Sequence, residues 1–202
     1  MFTGIVTDLG EVRSVNQRAG DLYRLTIFCG YPRSEIVQGA SIACSGVCLT
    51  VVDAGEEGNR TWFAVDVGAE TLRVTTAGRW RHGSKINLER PLKFGDELGG
   101  HLVAGHVDGI ATVAAREDMT DMARFVLRAP AGLARFIAPK GSVSLDGVSL
   151  TVNAVETDTF SILVIPHTLR ATTFGALHKD DDVNLEIDTM ARYAARLMEM
   201  QK

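Results

Sequence analysis

Two short stretches of this 202-residue chain hold side chains able to attack an electrophile or move a proton. Ser41-Ile42-Ala43-Cys44-Ser45-Gly46-Val47-Cys48-Leu49-Thr50 carries two thiols among hydroxyls, and Gly99-Gly100-His101-Leu102-Val103-Ala104-Gly105-His106 carries two imidazoles. Thiolates are strong nucleophiles, and imidazole titrates near neutrality, so either stretch could serve polar chemistry. Cys44 and Cys48 form a lone Cys-x-x-x-Cys; extended at about 3.3 Å per residue, it would hold the Cα atoms roughly 13 Å apart, beyond disulfide reach. Structural zinc takes four nitrogen or sulfur ligands and Cys29 is the one other thiol, so no metal is expected. His101 and His106 are spaced wrongly for one strand face and lack a His-Glu-x-x-His pattern. By residue type alone, Cys48 reads first as a small buried hydrophobe. The Gly-rich run 95–100 fits no phosphate loop and reads as a connection between domains, and Arg79, Arg81, His82 and Lys85 read as a solvated basic turn.

What sets Cys48 apart is a second copy of its surroundings. Residues 41–51 align with Ser142-Val143-Ser144-Leu145-Asp146-Gly147-Val148-Ser149-Leu150-Thr151-Val152, identical at six of eleven positions, which places Ser149 on Cys48. Thr71-Leu72-Arg73-Val74-Thr75-Thr76 matches Thr168-Leu169-Arg170-Ala171-Thr172-Thr173, and Ile86-Asn87-Leu88-Glu89 matches Val183-Asn184-Leu185-Glu186. In the register of the first block, Gly4, Val6 and Val12 fall on Gly105, Val107 and Val113. A period of about 100 residues is too long for a solenoid unit. It implies two copies of a small domain, 1–96 and 97–187, followed by an unrepeated tail, 188–202.

These domains must be built mainly from strands. The segments 23–28, 62–67, 124–127 and 160–165 are short, β-branched or aromatic, and bounded by Gly, Pro or Asp. Their spacing implies a small closed barrel in each copy. One short helix per copy is expected after Pro32 and after Pro130, ended in the second by Pro139. In the tail, Met190, Ala194, Leu197 and Met198 share one helical face, which could lie on its own barrels or bundle with other subunits. Charged residues make up 23% and the formal net charge is −4, which argues against nucleic acid as a partner. No apolar run reaches the roughly 18 residues of a membrane span and no signal peptide is evident, so a reducing cytoplasmic setting is expected.

The segments 1–6, 45–51, 99–106 and 146–151 together resemble the two-repeat, lumazine-binding riboflavin synthase family over nearly the full length. That resemblance implies two tandem six-stranded Greek-key barrels plus a C-terminal α-helix, assembled as a homotrimer, with no metal or redox cofactor. It implies dismutation of two 6,7-dimethyl-8-ribityllumazine molecules, giving riboflavin and 5-amino-6-(ribitylamino)uracil, and it admits an association with lumazine synthase. The alternative is a non-catalytic lumazine- or flavin-binding protein of the same fold. Carried over by motif, one pocket would use Gly4, Ile5 and Val6, Cys48, Leu49 and Thr50, and the segment Asp66, Val67, Gly68, Ala69, Glu70, Thr71. The other would use Gly105, His106 and Val107, Lys140, Ser149, Leu150 and Thr151, and the segment Ile165, Pro166, His167, Thr168, Leu169, Arg170. Cys48 and Ser41 are expected to add to or orient one ring, His106 and then His101 to transfer a proton, and Asp66 to hold ribityl hydroxyls.

Overall fold

The structure, a computed structural model, describes residues 1–200; positions 201–202 of the expected tail lie outside the described residues. Six strands close the first barrel: β1 (Asp8–Gln17), β2 (Leu22–Cys29), β3 (Ser41–Cys44), β4 (Val47–Glu57), β5 (Arg60–Gly68) and β6 (Lys85–Glu89). Six more close the second: β7 (Gly109–Asp118), β8 (Ala123–Arg128), β9 (Ser142–Leu145), β10 (Val148–Val155), β11 (Thr159–Val164) and β12 (Asp182–Ile187). The strand orders are β1-β2-β5-β4-β3-β6 and β7-β8-β11-β10-β9-β12, one Greek key written twice. Even the irregularities repeat, with register shifts at Val12/Ser14 and Val51/Asp53 matched by shifts at Val113/Ala115 and Val152/Ala154. A bulge bends and twists its strand, so equal bulges give both barrels equal curvature.

Alternation along each strand sends one set of side chains inward. Val12, Leu25, Ile27, Phe63, Val65, Ile86 and Leu88 fill the first barrel. Val113, Phe125, Leu127, Phe160, Ile162, Val183 and Leu185 fill the second. Leu49 and Val67 also turn into the first core, 5% and 1% exposed, so they can offer a ligand little beyond their backbone.

The expected helices after Pro32 and Pro130 are single 3-10 turns, Arg33–Glu35 and Ala134–Phe136. Each stops because the next residue, Ile36 or Ile137, takes an extended backbone and is buried. The helices of the repeat lie elsewhere, as α1 (Ala69–Val74) after β5 and α2 (Pro166–Ala171) after β11, the latter with Pro166 in its first turn. The tail forms α3 (Thr189–Glu199), capped by Asp188 Oδ1, which accepts from Met190 N at 2.8 Å. Arg192–Asp108 and Arg135–Glu199 ion pairs fasten it to the second barrel. Its apolar stripe does not lie down on that barrel: Met190, Tyr193, Leu197 and Met198 are all at least 64% exposed. Among the described residues no helix is long and apolar enough to cross a membrane.

Candidate active site: two cradles at the seam between the barrels

Cys48 and Ser149 stand at matching points of two hairpins. β3 and β4 turn through Ser45-Gly46, and β9 and β10 through Asp146-Gly147; all four turn residues have positive φ. This is the two-residue turn whose twist suits a hairpin. Cys44 and Cys48 therefore lie on a tight hairpin, not on an extended segment, and the sheet's alternation separates them. Cys44 sits in the first core, where burial pushes its thiol far above the ordinary range, whereas Cys48 faces Phe2, Ala43 and Val103 at the seam. Across the hairpin Cys48 faces Ala43 and Ser41 faces Thr50, so Ser41, Cys48 and Thr50 share one face. Ser142, Ser144, Ser149 and Thr151 form the equivalent face of the second barrel.

Each hairpin is closed by chain from the other half. Phe2 and Val103 pair as an antiparallel bridge, N to O at 2.8 and 3.1 Å, and so lay the chain start beside the interbarrel segment. The chain start continues onto the second barrel, where Gly4 O accepts from Ser149 N at 2.8 Å. The interbarrel segment continues onto the first, where Gly105 O accepts from Cys48 N at 2.9 Å. Gly4 and Gly105 have φ of 77° and 79°, and a Cβ on either would lie 2.6 Å from the Cβ of Ser149 or Cys48. Val6 packs on the second core and Val107 on the first. The grouping expected from the motifs is thus exchanged: Gly4, Ile5 and Val6 belong with Ser149, and Gly105, His106 and Val107 with Cys48. The cause is main-chain pairing, since these carbonyls meet free N–H donors only across the seam.

Two buried carboxylates hold the crossing segments. Glu89, on β6, accepts from Thr3 N at 2.7 Å, Gly4 N at 2.9 Å and Thr3 Oγ1 at 2.7 Å. Glu186, on β12, accepts from Ala104 N at 2.7 Å and Gly105 N at 2.9 Å. Burial raises the pKa of both while these donors act against it. Two asparagines latch the barrels directly. Asn87 Nδ2 donates to Asp146 O and Asn184 Nδ2 to Ser45 O, at 2.9 and 2.8 Å, while their Oδ1 atoms accept from Thr173 N and Thr76 N. In the sequence these four residues show only as a repeated Asn-Leu-Glu block, and the alternation explains the repeat, with Leu inward and Asn and Glu toward the seam.

The cradles differ electrostatically. His101 Nδ1 lies 2.7 Å from Ser149 Oγ, and burial lowers its pKa, favouring neutral imidazole able to accept a proton. Cys48, at the equivalent point of the first copy, packs instead against the apolar Phe2, Ala43 and Val103. His106 is exposed beside the Cys48 strand. Asp66 is bound bidentately by Arg24 at 2.8 Å on both oxygens, which holds its carboxyl below the usual range. Glu70 is exposed and paired with Arg73 along α1. Gly68, Ala69 and Thr71 run from the end of β5 into α1, and Ile165, Pro166, His167, Thr168, Leu169 and Arg170 make the same turn into α2. Lys140 has φ of 66° and its N–H donates to Val152 O, which places it beside Thr151. Leu150 packs partly on the second core.

The basic turn is solvated as expected, with Arg79, Arg81, His82 and Lys85 all exposed, and two of its side chains also make ion pairs. Arg79 pairs with Asp182 of the other barrel and Lys85 with Glu11, at one side of an interbarrel cleft of about 570 Å³. At the floor of that cleft lies Asp146, whose burial raises its pKa to about 7; its counterpart is the neutral Ser45. The cavity beside Ile5, Glu89 and Gly99 is smaller, about 360 Å³.

Two closed barrels with one cradle each define a class, and the lumazine binding domain family matches this chain twice, over residues 3–91 and 104–188. The chain belongs to the riboflavin synthase family within that class, the two-repeat kind. It is 56% identical to the riboflavin synthase of Brucella abortus over 204 aligned positions, all of both chains. It is 43% identical to that of Mycobacterium tuberculosis over 98% of each chain. Against the Bacillus subtilis enzyme the identity is 37%, over 98% of this chain and 90% of that one. Among solved structures, LumP complexed with riboflavin superposes with a TM-score of 0.80 at 27% identity, covering 93% of this chain and 99% of that one. LumP complexed with 6,7-dimethyl-8-(1'-D-ribityl)lumazine gives 0.78 at 26% identity, with the same coverage.

Proposed function

We propose that this chain catalyses the last step of riboflavin formation, transfer of a four-carbon unit between two molecules of 6,7-dimethyl-8-ribityllumazine. The products are riboflavin and 5-amino-6-(ribitylamino)uracil. The observation that carries this reading is the pair of cradles, equal in backbone and unequal in reactive groups. A reaction between two identical molecules needs two similar binding surfaces, yet one molecule must donate and the other accept. Fixing both rings in register turns a collision into an effectively unimolecular step, a gain of about 7–11 kcal/mol.

In this reading Cys48, with Ser41 on the same face, adds to or orients the ring at its electrophilic C7. Ser149 with neutral His101, and His106 from the crossing segment, take the proton from the acidic 7-methyl group of a substrate. Asp66, oriented by Arg24, keeps lone pairs for ribityl hydroxyls. Backbone groups of the two crossing segments and of the turns into α1 and α2 bind the ring edges, being fixed donors and acceptors. The domains are 1–96 and 97–187, with 188–202 as an assembly element. The exposed stripe of α3 supports a homotrimer bundled through these helices, which brings an N-terminal cradle of one subunit opposite a C-terminal cradle of the next. Such an enzyme works in the cytoplasm, within reach of lumazine synthase.

Likeness to LumP supports a second reading, a carrier that holds the ligand and transforms nothing. One assay separates them. Purified protein given the lumazine alone, without metal, ATP or nicotinamide, is expected to form riboflavin, and the active species to sediment as a trimer that is lost when the chain ends at 188. Ligand binding without riboflavin selects the carrier.

A further inference from the structure

Each reactive position shares a row of three residues with a buried glutamate. On the first barrel Cys48 lies opposite Ala43, and Ala43 opposite Glu89; on the second Ser149 lies opposite Ser144, and Ser144 opposite Glu186. Each glutamate spends its hydrogen bonds on the segment that leaves for the other barrel. Glu186 binds Ala104 and Gly105, and Gly105 O then takes the N–H of Cys48; Glu89 binds Thr3 and Gly4, and Gly4 O takes the N–H of Ser149. Both carboxylates are buried, 2% and 5% exposed.

We propose that Glu186 and Glu89 are positioning residues acting crosswise: Glu186 sets the Cys48 cradle of the first barrel, and Glu89 sets the Ser149 cradle of the second. A carboxylate is suited to this task. It accepts from two successive N–H groups at once, and charge-assisted bonds hold geometry more stiffly than neutral ones. Glutamine in its place presents an NH2 to one of those donors, leaves that buried N–H without a partner, and frees the segment to retract. The groups facing Glu186 are His106 and Asp108; those facing Glu89 are the backbone and hydroxyl of Thr3 with the N–H groups of Gly4 and Ile5.

This inference rests on the reaction proposed above for its kinetic arm but not for its chemical one. Glu186→Gln and Glu89→Gln are made in the full-length chain. Alkylation of the Cys48 thiol by iodoacetamide is followed by peptide mass spectrometry in the absence of substrate, and turnover of the lumazine is measured separately. The expected result is crosswise: E186Q speeds Cys48 alkylation about threefold or more as Gly105 retracts, whereas E89Q leaves it near the parent rate. Both variants lose about 10- to 100-fold in kcat with little change in KM, the response to a reacting group displaced by about 1 Å. Equal alkylation effects in both variants, or none in E186Q, overturn the proposal whatever the enzyme does. If E186Q does not fold, E186D is read against E89D in the same way, since either withdraws the charge by one methylene. A crosswise alkylation pattern with no riboflavin formed upholds the positioning and rejects the reaction.

Discussion

Cys48 and Ser149 occupy the same point of the same strand in two barrels that share their strand order, bulges and turns, yet their surroundings differ. Ser149 has His101 at 2.7 Å, Ser144 beside it with an unpartnered buried hydroxyl, and Asp146 at its turn. Cys48 has Ala43 beside it, Ser45 at its turn and exposed His106 nearby. The groups the halves hold in common, Asn87 and Asn184, Glu89 and Glu186, Gly4 and Gly105, Thr75 and Thr172, make the bonds that join or brace the halves. Duplication has kept what docks one barrel on the other and varied the side chains around Cys48 and Ser149.

This contrast can be broken by making the reactive positions alike. Cys48→Ala is expected to lower turnover by about 100-fold or more while the affinity for the lumazine changes little, as for loss of a nucleophile or proton-transfer group. Ser149→Ala should cost less, about 10-fold, because His101 remains; equal losses would mean that the two cradles do the same job. A steric test of the seam comes next. Gly105→Ala drives a methyl into Cys48 at positive φ, so chemical denaturation should show a loss of about 2–4 kcal/mol, and Gly4→Ala a similar loss against Ser149.

The smallest effect concerns Asp146. Its folded pKa, about 7, lies above the ordinary 3.8, so the unfolded chain holds its proton less tightly. The contribution to stability is complete below about pH 4, declines as pH rises, and is gone above about 7. Asp146→Ser, which copies Ser45, should flatten that part of the stability profile, with a relative gain on the order of 2 kcal/mol at pH 8. Thermal unfolding across pH 5–8 reads this directly, and an unchanged slope would move the carboxylate's influence elsewhere.

Much of this architecture can be read along the chain because it is local. Alternating β-branched segments such as 62–67 define β5, and Ser45-Gly46 against Asp146-Gly147 marks matching turns. Contacts between the halves leave no periodic trace, which is why Gly4 falls with Cys48 by motif order and with Ser149 in space. The same blindness hides the ion pair of Arg79 with Asp182, which is distant in sequence, although the exposure of Arg79 is legible. Pro32 and Pro130 mislead for another reason: proline favours a helix start but does not sustain one when Ile36 or Ile137 is drawn into the core. Pro166 keeps its helix because Leu169, the residue of α2 that packs on the core, leans on it without leaving the helix.

The exchange of segments across the seam bears on how the protein could be taken apart. Severing the polypeptide between Leu92 and His101 would not liberate two finished units, since each would depart with a flap that fits its sibling. The amino-terminal fragment would carry Gly4 away from Ser149, and the carboxy-terminal one would strip Gly105 from Cys48. Neither could be whole unless a second molecule lent the missing piece.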